Sequence, residues 1–296
     1  MATNTFSEAA ASPKEFPVAN QSATGTGRIR TNSRPRVVVT ATQALVAVVV
    51  LLAWEFIPQI GSLSQWKLLD PYFISSPSRV GATLMNLLLG REGVPAVWGY
   101  LWPTFLASII GLVIAMIVGG LMGLLLGSFE FAGAVFRPFV VALNAVPRIA
   151  LIPIVVVLFG SGLQSSVVIA FMVVFFVALF NAYEGARTVE AHVRHNVRLL
   201  GASGWDLMWR VRFPYALAWT LSSLPVAVSF AIVSVVTGEI LTGVSGMGLL
   251  ITAATNAADT SMTFAVIIVL SVCALLMLWI ADAFKRRVLH WWIQSE

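Results

Sequence analysis

The segment Asn181–Pro214, NAYEGARTVEAHVRHNVRLLGASGWDLMWRVRFP, decides how the rest of this chain is read. It carries five arginines, a Gly-Ala-Ser turn and a closing proline, and long apolar runs flank it on both sides. A polar, patterned island inside a lipid-seeking chain needs a reader, and another protein is the expected one. Of the 296 residues 58% are hydrophobic and 10% charged, where soluble domains average about 25% charged. Several apolar runs of about 20 residues therefore predict an all-α polytopic membrane protein. The single cysteine, Cys273, lies in one of those runs and excludes an intrachain disulfide. The net charge of +5 comes without interleaved basic and aromatic motifs, so nucleic acid is not an expected partner and membrane lipid is.

Working outward from the island, residues 1–36 read as a disordered cytosolic tail ending in Arg28, Arg30, Arg34 and Arg36. The apolar run from Val37 to about Ile57 exceeds a signal-peptide core of roughly 7–15 residues, so an uncleaved first span is favoured over a cleaved leader. Five more spans are expected: Trp98–Leu126, Pro138–Phe159, Ser165–Phe180, Tyr215–Gly238 and Met262–Phe284. The domain plan is thus a tail (1–36), a first span with an external segment (37–97), a core (98–287) holding the cytosolic loop 181–214, and a cytosolic tail (288–296). Within the external segment Ser78–Leu89 fits an amphipathic surface helix. With the N-terminus inside, only Lys67, Arg79 and Arg91 face outward and Arg148 falls within a span; all other lysines and arginines are cytosolic. That asymmetry is what membrane insertion selects, and it places both termini inside.

Gly119, Gly123 and Gly127 recur every four residues in the second span, with Gly120 beside them. The spacing lines one helix face with small residues, which lets a neighbouring helix approach closely within the subunit or between subunits. The competing reading is that glycine is common in membrane helices.

In the loop, Ser203-Gly204-Trp205-Asp206 has the form of a capping box. Gly201 stands where one helix stops and the next begins, a place that tolerates a left-handed turn. Trp205, Met208, Trp209 and Val211 give an apolar face, and Pro214 is expected to end the segment. Such a short helix fits a partner's groove. It equally fits a bilayer surface, with the arginines on anionic lipid.

The loop resembles the cytoplasmic signature of ABC-importer permeases, an acidic-Ala-Ala triplet followed by Gly-Ala-Ser and a closing proline. Gly201-Ala202-Ser203 and Val211-Arg212-Phe213-Pro214 match; His195-Asn196-Val197 stands where Glu-Ala-Ala is usual. Gly238-Glu239-Ile240-Leu241 through Ser245-Gly246-Met247-Gly248, and Val146-Pro147-Arg148-Ile149-Ala150-Leu151-Ile152-Pro153 with Phe159-Gly160-Ser161-Gly162, resemble two further stretches of the same permeases. The subgroup resembled is the nitrate, sulfonate, taurine and bicarbonate type. The resemblance implies the type I (MetI-like) importer fold with about six spans, in a bacterial plasma membrane. It implies a second permease subunit, identical in the commoner arrangement, a pair of ATPase subunits and an external solute-binding protein. It makes Arg198, Leu200, Gly201, Ala202, Ser203, Trp205, Asp206, Met208 and Pro214 the residues that couple to the ATPase.

The chain has no P-loop: its lysines are Lys14, Lys67 and Lys285, and none follows a glycine. ATP and magnesium would thus be used by a partner, and no cofactor or catalytic group is expected here. The histidines, His192, His195 and His290, lie in loop or tail without the cysteines or carboxylates of a metal site. Of the charges at span depth or span ends, Glu55, Arg148, Glu239 and Asp282, Arg148 is the most informative because Pro147 and Pro153 can open a cavity beside it. A fixed cation there favours an anionic solute. Arg148, Pro147 and Glu239 are the candidate path residues; the alternatives are pairing of Arg148 with Glu239, or snorkelling. An ion-coupled secondary transporter and a membrane scaffold remain the other function classes.

Overall fold

The computed structural model describes residues 36–56, 74–91, 96–189, 193, 196, 199–201 and 203–291, and every element among them is helical. The tail 1–35, most of the external segment between 57 and 73, and residues 292–296 lie outside the described residues, as do Arg198 and Ala202.

Helix α1 (Arg36–Phe56) is mostly apolar, with Arg36 and Glu55 near its two ends. Its first part belongs to a unit of its own, Met1–Val49, and residues 38–49 are exposed. The second unit, Val50–Glu296, contains the rest. There Trp54 donates through Nε1 to the Ile74 carbonyl (3.3 Å) and meets Phe264 edge-on at 5.4 Å. Glu55 accepts from the Ser78 amide (3.1 Å) and hydroxyl (2.9 Å), so its carboxylate sits at the positive end of α2 (Pro77–Leu89). Helix α2 buries Val80 and Leu87 against the outer end of the bundle, and Gly90 closes it at φ 64°. The surface helix expected over this stretch is therefore a packed element.

The frame is α3 (Trp98–Ser128) against α6 (Leu163–Arg187). Their contact is a row of small residues at intervals of four, Ala107, Gly111, Ala115, Gly119, Gly123 and Gly127, facing Ala170, Val174, Ala178, Ala182 and Ala186. A methyl group added at Gly119 would stand 2.5 Å from the Phe175 carbonyl oxygen, and one at Gly127 2.6 Å from that of Tyr183. One added at Gly123 would collide with the Leu179 carbonyl. The stripe thus works inside the subunit, and backbone-to-backbone approach gives the dispersion contacts that hold membrane helices together.

Between these two helices lie α4 (Glu130–Ala145) and α5 (Arg148–Phe159), which meet at 88°. The single span expected over Pro138–Phe159 is corrected to this broken pair. Pro147 disfavours helical geometry at the residue before it, and Val146 is extended (φ −66°, ψ 130°), as is Pro147 itself (φ −66°, ψ 99°).

Helix α6 is longer than the expected span: it continues through Asn181 and Ala182 to Arg187, with Asn181 donating back to the Val177 carbonyl at 2.8 Å. The loop therefore begins at Thr188, not at Asn181. Downstream, a helical turn (Gly204–Asp206), a π-helical stretch (Leu207–Arg212), and α7 (Phe213–Ser222) follow without interruption. Pro214 does not stop the segment. The Phe213 amide reaches back five residues to the Met208 carbonyl, and this wider register brings the proline, which has no N–H to donate, into the first turn of α7.

The fifth expected span is likewise two helices, α7 and α8 (Leu224–Thr242), joined at Ser223. A short apolar helix, α9 (Met247–Asn256), packs at the outer end, and α10 (Thr260–Val288) begins where Asp259 accepts from the Met262 amide at 2.9 Å. Among the described residues five helices are long and apolar enough to cross a membrane, six if α4 and α5 count as one span.

Candidate functional site

Three places bring functional side chains together. The first is the cytosolic end. Ser203 and Asp206 form the expected capping box: the Ser203 hydroxyl accepts from the Asp206 amide (3.1 Å), while the carboxylate accepts from the Ser203 hydroxyl (2.7 Å) and amide (3.2 Å). These bonds, the hydroxyl first, hold the Asp206 carboxyl below its usual range, with Arg210 adding to the effect from 3.3 Å. Gly201 has φ +82°, the left-handed turn that its position requires. Trp205, Trp209 and Phe213 follow at intervals of four and meet edge-on and tilted, 5.6 Å and 5.3 Å between rings. Trp205 is 65% exposed and Leu200 86%.

Met208 is placed differently from the expectation. It is 6% exposed and, with Leu207, turns inward to the body of the bundle, leaving Trp205 and Trp209 as the outward apolar face. The π-helical register from Leu207 onward accounts for this, because its wider i→i+5 turn rotates Met208 relative to Trp205. Behind it the Arg212 guanidinium donates to the Ser128 carbonyl at the end of α3. Thus a charge-assisted contact bonds the outward segment to the frame.

The second place is Glu239, 1% exposed near the outer end of α8. Its carboxylate accepts from the Thr104 hydroxyl on α3 (2.7 Å) and from the Gly248 amide on α9 (2.8 Å). Thr104 in turn accepts from the Met247 amide at 2.9 Å. Two first-turn amides of α9, those of Met247 and Gly248, are thereby satisfied by a hydroxyl and a buried carboxylate from two other helices. Gly246 has no room for a side chain because a methyl there would overlap the Glu239 carboxylate, and at Gly248 it would lie 2.7 Å from the Glu239 Cβ. Glu239 is therefore bound up in helix capping and does not meet Arg148.

The third place is the bend. Asn144, Pro147 and Arg148, with Phe230, Ser234 and Thr237 of α8 opposite, line a cavity of about 410 Å³ whose other walls are aliphatic. Arg148 donates to the carbonyl and to the side-chain oxygen of Asn144, and its guanidinium lies 4.8 Å from the Phe176 ring centroid. Pro147 and Arg148 are together here, and Glu239 is outside the lining.

Residues 111–290, more than half of the chain, match the family model described as binding-protein-dependent transport system inner membrane component. The chain belongs to this family. It is 26% identical over 243 residues to a probable ABC transporter permease protein of Haemophilus influenzae, covering 82% of this chain and 94% of that one. It is 24% identical to the taurine transport system permease protein TauC of Escherichia coli, covering 76% and 82%. Among solved structures it shares the fold of a MetNI methionine ABC transporter chain, with TM-score 0.58, 17% identity and coverage of 69% of this chain and 97% of that chain. The protein is a multi-pass inner-membrane permease component of an ABC importer with the MetI-type fold.

For this permease, the capping box and the glycine stripe were visible in local spacing. Trp209 and Phe213 continue the interval of four from Trp205, a signal present in the sequence. Thr104 and Ser128 carried no such signal. Thr104 looks like any small polar residue in an apolar helix until α8 and α9 are folded against it.

Proposed function

We propose that two copies of this permease form the membrane pathway of an ATP-driven importer, with two ATPase subunits docked on the cytosolic end and an external binding protein delivering a small anionic solute. The observation that carries the reading is the cytosolic end itself: a capped, aromatic-stacked helix whose Trp205 and Trp209 face outward while Arg212 ties its other side to α3. A preformed apolar ridge of this kind suits a protein groove, with little conformational entropy left to lose on docking. ATP-driven closure of the ATPase pair moves residues 199–212 as a lever, and the spans exchange inward-open for outward-open states because the lever is bound differently in the two. The energy source is a separate polypeptide, consistent with a chain lacking a P-loop. A solute carrying an anionic group is supported by similarity to a taurine permease and by the cation at the bend.

The test is reconstitution of the permease with its ATPase and binding protein in liposomes. ATP hydrolysis rising several-fold with solute-loaded binding protein, together with ATP-dependent uptake, is the expected result. Gradient-driven uptake by the permease alone, without ATP, would overturn it in favour of a secondary transporter.

A further inference from the structure

We propose that the cavity at the bend between α4 and α5 binds the charged group of the transported solute, that Arg148 reads that group, and that the solute is a short organic anion rather than a bare inorganic one. This rests on the importer reading above and adds to it a place and a ligand chemistry.

A guanidinium at span depth costs several kcal/mol unless something compensates its charge. Arg148 has no carboxylate within ion-pair reach among the described residues; its partners are the neutral oxygens of Asn144 and the face of Phe176. The buried acid that sequence alone offered as counter-ion, Glu239, is engaged with Thr104 and Gly248. The Arg148 Nε is buried and donates to nothing. The guanidinium that lines the cavity thus has hydrogen-bonding capacity its described neighbours do not use, and a forked guanidinium is matched to the paired oxygens of a carboxylate or sulfonate.

The cavity decides between kinds of anion. Its volume of about 410 Å³ lies within the range of small-molecule sites. Its polar side chains, Asn144, Arg148, Ser234 and Thr237, share the wall with Ile152, Val155, Ile169, Met172 and Phe230. Ser234 and Thr237 already donate to carbonyls of their own helix, at 3.0 Å to Ala231 and 2.7 Å to Val233. A fully hydrated inorganic anion would leave most of that surface against water. An anion with one charged head and a short aliphatic body covers it, and exclusion of water strengthens the contact with the head.

The experiment uses the assembled complex and reports on the permease cavity directly, without passing through the binding protein. Thr237→Cys, in a Cys273→Ser background, is labelled with a methanethiosulfonate reagent in the presence of ethanesulfonate, and in parallel of nitrate. Millimolar ethanesulfonate slowing the labelling at least fivefold, nitrate slowing it less than twofold, and Arg148→Gln abolishing the protection are the expected results. Arg148→Lys should keep part of it, since charge survives and the fork does not. Should Arg148→Gln fail to assemble, Ile152→Trp, which fills the cavity from its apolar wall, should abolish protection with Arg148 in place. Unchanged labelling in ethanesulfonate, or protection that survives both Arg148→Gln and Ile152→Trp, overturns the site. Equal protection by nitrate overturns the organic-anion assignment. ATPase stimulation by loaded binding protein is measured on the same preparation: if it persists while protection is absent, the importer reading stands and only this inference falls.

Discussion

The seam between α3 and α6 and the cytosolic segment 203–213 hold their helices in opposite ways. Along the seam, backbones touch through glycine and alanine, no side chain intervenes, and a single methyl at Gly119, Gly123 or Gly127 has nowhere to go. The cytosolic segment is held on one side only, by Leu207, Met208 and the Arg212 bond to Ser128, and presents Trp205 and Trp209 outward. Because lipid is as apolar as the side chains, membrane helices gain little from hydrophobicity alone, and the close-packed seam is where contact energy accumulates. Fewer contacts hold the segment at the aqueous end. In the proposed mechanism the seam is the frame that does not yield and the segment is the lever that does.

On the scale of stability, Gly123→Leu is the harshest way to break this contrast. It should give little or no monodisperse protein in detergent, since overpacking against backbone exceeds the usual ~1–3 kcal/mol; wild-type yield and melting temperature would remove the seam as the frame. Next comes Glu239→Ala, which strands the Gly248 amide, leaves the Thr104 hydroxyl only the Tyr100 carbonyl as acceptor, and should cost about 2–3 kcal/mol by thermal or denaturant unfolding. Met208→Asp follows. It places a charge where the segment meets the body, and should release residues 203–213 to faster hydrogen exchange by tenfold or more while the seam stays protected.

Ser203→Ala is milder. With the hydroxyl gone, the Asp206 carboxyl should titrate closer to 3.8, and exchange of the 204–207 amides should rise a few-fold. Because the folded carboxyl sits below its unfolded value, the box is fully effective above that value and weakens as pH falls through the folded one, so the variant and the wild type should converge at acid pH. The smallest effect on stability belongs to Trp205→Glu, within about 0.5 kcal/mol of wild type for an exposed side chain. Its effect on function should be large, a loss of tenfold or more in ATP-dependent uptake by the reconstituted complex. A drop in stability without loss of uptake would reverse the roles assigned to frame and lever.

Most of the membrane architecture was legible because its signals are local. Runs of about 20 apolar residues, the side on which arginines gather, glycines at every fourth position and a Ser-x-x-Asp box each depend on a few neighbouring residues. These determined, from the sequence alone, the class of protein, the orientation of the loop and the face on which α3 is close-packed.

Tertiary structure decided what depends on distant partners or on the register of the backbone. The 88° bend turns one expected span into two helices and opens the cavity beside Arg148. The π-helical turn carries the chain through Pro214 and swings Met208 inward. Glu239 is committed to a hydroxyl 135 positions earlier, on a helix whose sequence shows that residue as a single threonine among apolar neighbours. A carboxylate's role is set by which donors reach it, and that is fixed only when α3, α8 and α9 come together.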